Sequence, residues 1–102
     1  MSRLFTVEFS EGVKEDLEGF RAYDRRAILE AIEMQLTHAP HVETRKCKLL
    51  RNLVPPFEAI PPIWQLRVGT FRVFYDVNEE ARRVQVRAIR RKPSHLKTEE
   101  IL

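Results

Sequence analysis

Trp64-Gln65-Leu66-Arg67-Val68-Gly69-Thr70-Phe71-Arg72-Val73-Phe74-Tyr75-Asp76-Val77 is two alternating runs joined by a glycine-led pair. Trp64, Leu66 and Val68 alternate with Gln65 and Arg67, and Phe71, Val73, Tyr75 and Val77 resume the pattern after Gly69-Thr70. That is the period of β-strands, and a two-residue loop with glycine first is what a type II′ hairpin requires. The loop length fixes the register: Val68 opposite Phe71, Arg67 opposite Arg72, Leu66 opposite Val73, Gln65 opposite Phe74 and Trp64 opposite Tyr75. Every pair agrees in face, and a slip of one residue would destroy that agreement.

Outward from the hairpin, Asn78 to Arg82 reads as a turn, and Val84, Val86 and Ala88 as one face of a further strand whose other face carries Gln85, Arg87 and Ile89. Towards the N-terminus, Arg3 to Phe9 alternates and reads as a first strand, with Phe5, Val7 and Phe9 on one side. Ser10 stands at a helix N-cap, and Val13, Leu17 and Phe20 recur at helical spacing. Asp24 offers a second N-cap after a short link over Arg21 to Tyr23, and Ile28, Ala31, Ile32 and Leu36 form a stripe that must stop before Pro40. His41 to Leu53 is polar and basic, and Val54 to Pro62 is too rich in proline for a central strand or helix. This loop reads as a stiff connector with Phe57 and Ile60 packed on the domain edge, or as a docking segment for a partner. After Pro93, Ser94 to Leu102 reads as a short helix capped by Ser94 or a fraying tail. The expected architecture is α+β, in the order β-α-α-β-β-β, with a helical hairpin on one face of a small, mostly antiparallel four-stranded sheet.

The chain of 102 residues fits one domain over 1–102, with a composition that excludes disorder and no apolar run of bilayer length. Met1-Ser2-Arg3-Leu4 leads into the first strand without a secretory signal pattern, so the expected location is cytoplasmic, away from membranes. Cys47 is the single cysteine, and the three histidines lack a ligand spacing, so neither a disulfide nor a metal site is expected. The net charge of +3 is concentrated in the second half, where Ala81 to Lys97 carries seven basic residues and no acidic one. Such a stripe suits a phosphate backbone or an acidic protein partner.

With the hairpin's apolar residues turned to the helices, Gln65, Arg67, Arg72, Phe74 and Arg87 are expected on the opposite, basic face. Arginines placed opposite each other repel by about 0.2–1 kcal/mol, and a chain that keeps such a conflict often does so at a functional site. Guanidinium forks match a phosphodiester and stay charged at all ordinary pH. The alternative is that the two arginines splay apart and pair with Glu58, Glu79 or Glu80.

The order of elements, the 64–77 run and the closing Val84-Gln85-Val86-Arg87-Ala88-Ile89-Arg90-Arg91-Lys92 resemble the RelE/ParE superfamily of toxins from type II toxin–antitoxin pairs. The resemblance covers nearly the whole chain. It implies a toxin neutralised by a cognate antitoxin, acidic where it meets the basic face, with no metal or organic cofactor. In the RelE-like branch it implies an endoribonuclease that enters the ribosome and cuts mRNA through attack of a ribose 2′-hydroxyl on the adjacent phosphate. Arg67 and Arg72 then match positions that hold that phosphate. Lys92, or its neighbour Arg91, matches the basic group near the leaving 5′-oxygen. Gln65, Arg87, Arg90 and Arg91 are candidate RNA contacts. The chain departs from the pattern at Gln65, where the branch has a lysine, and in lacking the branch's C-terminal tyrosine, which leaves His95 as a candidate acid or base. His38 and His41 flank Pro40 and are weaker candidates. The ParE-like alternative is a toxin that inhibits DNA gyrase by binding, without nuclease chemistry.

Overall fold

The computed structural model describes residues 4–102, in which alternation at the N-terminus yields β1 (Thr6–Phe9) with Phe5 buried beside it. Arg3, the expected start of that strand, lies outside the described residues. Then come α1 (Glu11–Glu18), α2 (Ala22–Leu36), β2 (Cys47–Leu50), β3 (Ile63–Val68), β4 (Phe71–Asn78), β5 (Arg83–Arg91) and α3 (Thr98–Ile101). The sheet order is β1-β5-β4-β3-β2, with β1 parallel to β5 and every other pair antiparallel.

The β3–β4 register is the one the alternation demands, from Trp64 opposite Tyr75 to Val68 opposite Phe71. Gly69 has φ +58°, and Thr70 is not among the residues at positive φ, as a II′ turn requires. One sheet face packs on the helical hairpin: Val13, Ile28, Ile32 and Leu36 meet Leu66, Phe71, Val73, Tyr75, Val84 and Val86, all but fully buried. Phe20 meets Phe71 edge-on, with ring centroids 4.7 Å apart. Tyr75 donates its hydroxyl to the Pro40 carbonyl at 2.8 Å, tying the strand to the end of the helical layer.

Several expectations need correction. The sheet has five strands, because Cys47-Lys48-Leu49-Leu50 pairs with β3: Cys47 and Leu49 face the helices, Lys48 and Leu50 the opposite side. Asp24 does not cap α2, which begins at Ala22; Asp24 lies in the first turn, where its carboxylate suits the helix dipole and pairs with Arg21 at 3.3 Å. Ser10 stands at the N-cap of α1 but makes no capping bond, its hydroxyl instead accepting from Gln85 Nε2 at 3.0 Å.

The face assignment of β5 inverts part-way along. Tyr75 pairs with Val86 and Phe74 with Ala88, so Arg87 is the extra residue of a β-bulge. Beyond it Ile89 lies against Val73 in the main core, while Ala88 joins Phe74 on the other side. That second side is not open throughout. Ile63, Phe74 and Ala88 are buried there beneath Leu50, Leu53, Phe57, Ala59, Ile101 and Leu102, a small second core closed by the proline-rich loop and α3. Phe57 packs on Phe74 with centroids 5.9 Å apart, whereas Ile60 stays 69% exposed and contributes its backbone N–H, which donates to Asp76 Oδ2 at 2.9 Å. The tail helix starts at Thr98 and not after Ser94, with the Lys97 N–H donating to Glu100 Oε1 at 2.8 Å.

Candidate nucleic-acid interface

The second sheet face is graded along the strands. Its covered part holds Ile63, Phe74 and Ala88; past Phe74 and Gln65 the next row of facing residues is basic. Arg67 faces Arg72, Arg72 faces Arg90, and on the other side the Arg67 N–H donates to the Lys46 carbonyl at 2.8 Å, which continues the β2 register by one step. Four cations therefore stand in line across four adjacent strand positions, where each opposed pair costs about 0.2–1 kcal/mol. None of Lys46, Arg67 and Arg72 makes an ion pair among the described residues, so the pairing of the two arginines with Glu58, Glu79 or Glu80 does not occur.

Lys46, Arg67 and Arg72 floor a concavity of about 410 Å³ lined by Arg45, Lys46, Lys48, Gln65, Arg67, Arg72, Lys92 and Thr98. Its lining contains six cations and no carboxylate or imidazole. Arg67 is exposed, while Arg72 is half-buried and held by the carbonyls of Gly69 at 2.9 Å and Phe71 at 2.8 Å. Burial first, and the Arg67 charge second, keep the Arg72 guanidinium below its ordinary pKa. Gln65 is only 7% exposed, and its Oε1 accepts from the Thr98 hydroxyl at 3.1 Å, so α3 anchors at the cleft. Lys92 arrives through its own N–H, which bonds the Thr70 carbonyl of the hairpin turn.

The structure thus brings together Gln65, Arg67, Arg72 and Lys92. It leaves the other sequence candidates apart. Arg87 is spent on Asp76, with Nε 2.7 Å from Oδ2 and Nη2 3.4 Å from Oδ1, and the two side chains are 14% and 9% exposed. Arg90 reaches Asp16 on α1 at 2.8 Å, and the same carboxylate accepts the Ile89 N–H. Arg91 lies over the Phe71 ring and 3.9 Å from Asp24. His95 is exposed and does not line the cleft. His38 bonds the Met34 carbonyl at 2.8 Å, and His41 packs on Phe5, both away from the cleft lining. Sequence reasoning missed Arg45, Lys46 and Lys48. Their signal was present as Lys46 and Lys48 alternating with Cys47 and Leu49, a strand pattern only four residues long.

A family model described as the ParE toxin of the type II toxin–antitoxin system, parDE, matches residues 7–93. The chain belongs to this toxin family, within the RelE/ParE superfamily. Among solved structures, the toxin's fold is similar to a chain of the RelBE2 toxin–antitoxin complex of Mycobacterium tuberculosis, with TM-score 0.68, 22% identity, and coverage of 87% of this chain and 99% of that one. It is equally similar to a chain of the archaeal RelE–RelB complex of Pyrococcus horikoshii OT3, with TM-score 0.68, 17% identity, and coverage of 90% and 98%. No curated protein sequence matches. The toxin's helices include none long and apolar enough to cross a membrane among the described residues.

Proposed function

We propose that the toxin is a ribosome-dependent mRNA endoribonuclease, held inactive by a cognate antitoxin as its fold relatives' complexes suggest. The observation that carries this reading is the uncovered cation row: Lys46, Arg67 and Arg72 are left without counter-ions in a cleft, at a cost in stability, as a ligand phosphate would require. Arg67 and Arg72 hold the scissile phosphate. As the 2′-oxygen bonds to phosphorus and the 5′-oxygen leaves, the extra negative charge falls on oxygens facing guanidinium groups already in place. One such donor is worth about 2.7–4 kcal/mol of barrier. Lys92 neutralises the leaving 5′-oxygen. The cleft lining offers no imidazole or carboxylate, so the 2′-hydroxyl proton passes to water as the 2′-oxygen bonds to phosphorus, and the Lys92 ammonium gives a proton to the departing 5′-oxygen and regains one from solvent; a ribosome-bound codon supplies the attack geometry.

The family match gives weight to a second reading, inhibition of DNA gyrase by binding. One experiment separates them. Toxin freed of antitoxin is added to ribosomes stalled on a defined mRNA, and the RNA ends are mapped by primer extension beside an Arg67→Ala/Arg72→Ala variant. A cut within the codon in the ribosomal A site, absent with the variant, is expected. Intact mRNA from folded toxin sinks the nuclease reading and favours gyrase, whose inhibition the variant should retain.

A further inference from the structure

The basic cleft does not end at Lys92. Between the end of β2 and the segment after β5 lies a second concavity of about 700 Å³, and Lys92 and Thr98 line both. The chemistry changes across that shared wall. On the far side the lining includes the side chains of Leu50 and Leu53 from one segment and Leu96 from the other, together with Arg51, Lys97 and one carboxylate, Glu99. Leu96 packs in neither apolar core and is only half-buried, so the fold does not explain it.

Resting on the cleft as the seat of the scissile phosphate, we propose that this groove receives the base of a nucleotide flanking that phosphate, making the ligand single-stranded RNA of at least two nucleotides. The continuity of the two concavities sets the phosphate and the base on opposite sides of Lys92, as successive parts of one strand require. Leucine side chains offer an apolar wall to the face of any base, and Arg51 and Lys97 beside them neutralise the next phosphate; the charge is that of single-strand binders, with aliphatic contact in place of their aromatic platforms. Bases stacked inside a duplex have no free face to offer, so paired RNA is excluded.

The test is fluorescence anisotropy at low salt with a labelled 2′-O-methyl trinucleotide, which lacks the attacking hydroxyl, against the same backbone with its flanking bases removed. Wild-type toxin should bind the base-bearing ligand about tenfold more tightly, the scale of burying one base face against leucine side chains. Leu96→Ser should erase that difference and leave the abasic affinity unchanged, whereas Arg72→Ala should weaken both ligands in proportion. Equal wild-type affinities would overturn the base site, leave the cleft reading standing, and give the groove to a protein segment. A preference that survives Leu96→Ser would overturn its placement. Binding of neither ligand would overturn the cleft reading and the base site together.

Discussion

Arg67 and Arg72 face each other directly across the β3–β4 hairpin, and no described carboxylate pairs with either. Stability and activity therefore pull in opposite directions at these positions. Arg67→Ala should raise unfolding stability by about 0.2–1 kcal/mol for each of the like-charge pairs it removes, with Arg72 and with Lys46. The same change should slow RNA cleavage by about 10²–10³-fold. Denaturant melts and ribosome-dependent cleavage on one preparation check both; a variant that loses both would place Arg67 in the fold and not in the site.

The cations missed in the sequence have their own signature. Deleting one side chain that neutralises a phosphate makes the plot of log affinity against log salt shallower by about 0.7 on single strands. Lys46→Ala and Lys48→Ala should each do so in RNA titrations, while Arg91→Ala, whose guanidinium already lies over Phe71 and near Asp24, should leave the slope almost unchanged.

Asp76 accepts from Arg87 and from the Ile60 N–H in a nearly buried position. Asp76→Ala strands the guanidinium without its partner, and the expected loss is about 3–5 kcal/mol in urea melts. Hydrogen exchange at the Ile60 amide should rise at the same time, since the loop loses its anchor.

Tyr75 gives a pH dependence. Burial, then the neighbouring Cys47, push its hydroxyl well above the ordinary tyrosine range. Its contribution is complete below the unfolded pKa of about 10 and falls as pH rises past it, because only the unfolded chain then loses the proton. Stability should drop steadily above pH ~10, and Tyr75→Phe should flatten that drop in denaturant melts across this range.

How much of this was written in the sequence differs between elements. The hairpin was legible to the residue because alternation and a two-residue loop leave one register open. The cover on Phe74 was not, because it depends on where Phe57, Ile101 and Leu102 land, and nothing local announces that. β2 was hidden in a basic stretch whose strand period lasts only four residues. Within the site, Arg67 and Arg72 followed from the hairpin register, and Gln65 from its alternation. Arg87, Arg90 and Arg91 carried the right charge, but their partners Asp76, Asp16 and Asp24 come from other elements, and composition cannot show such pairing.

The bulge at Arg87 gives β5 two phases, Val84 and Val86 facing the helices in one and Ile89 in the other. Were Arg87 drawn into regular pairing opposite Phe74, the strand would run on in one phase. Residues 88 to 91 would then turn over, driving Arg90 towards the helical layer and Ile89 out beside Arg72. The extra residue works as a phase shifter, and the reading frame of the cation row depends on it.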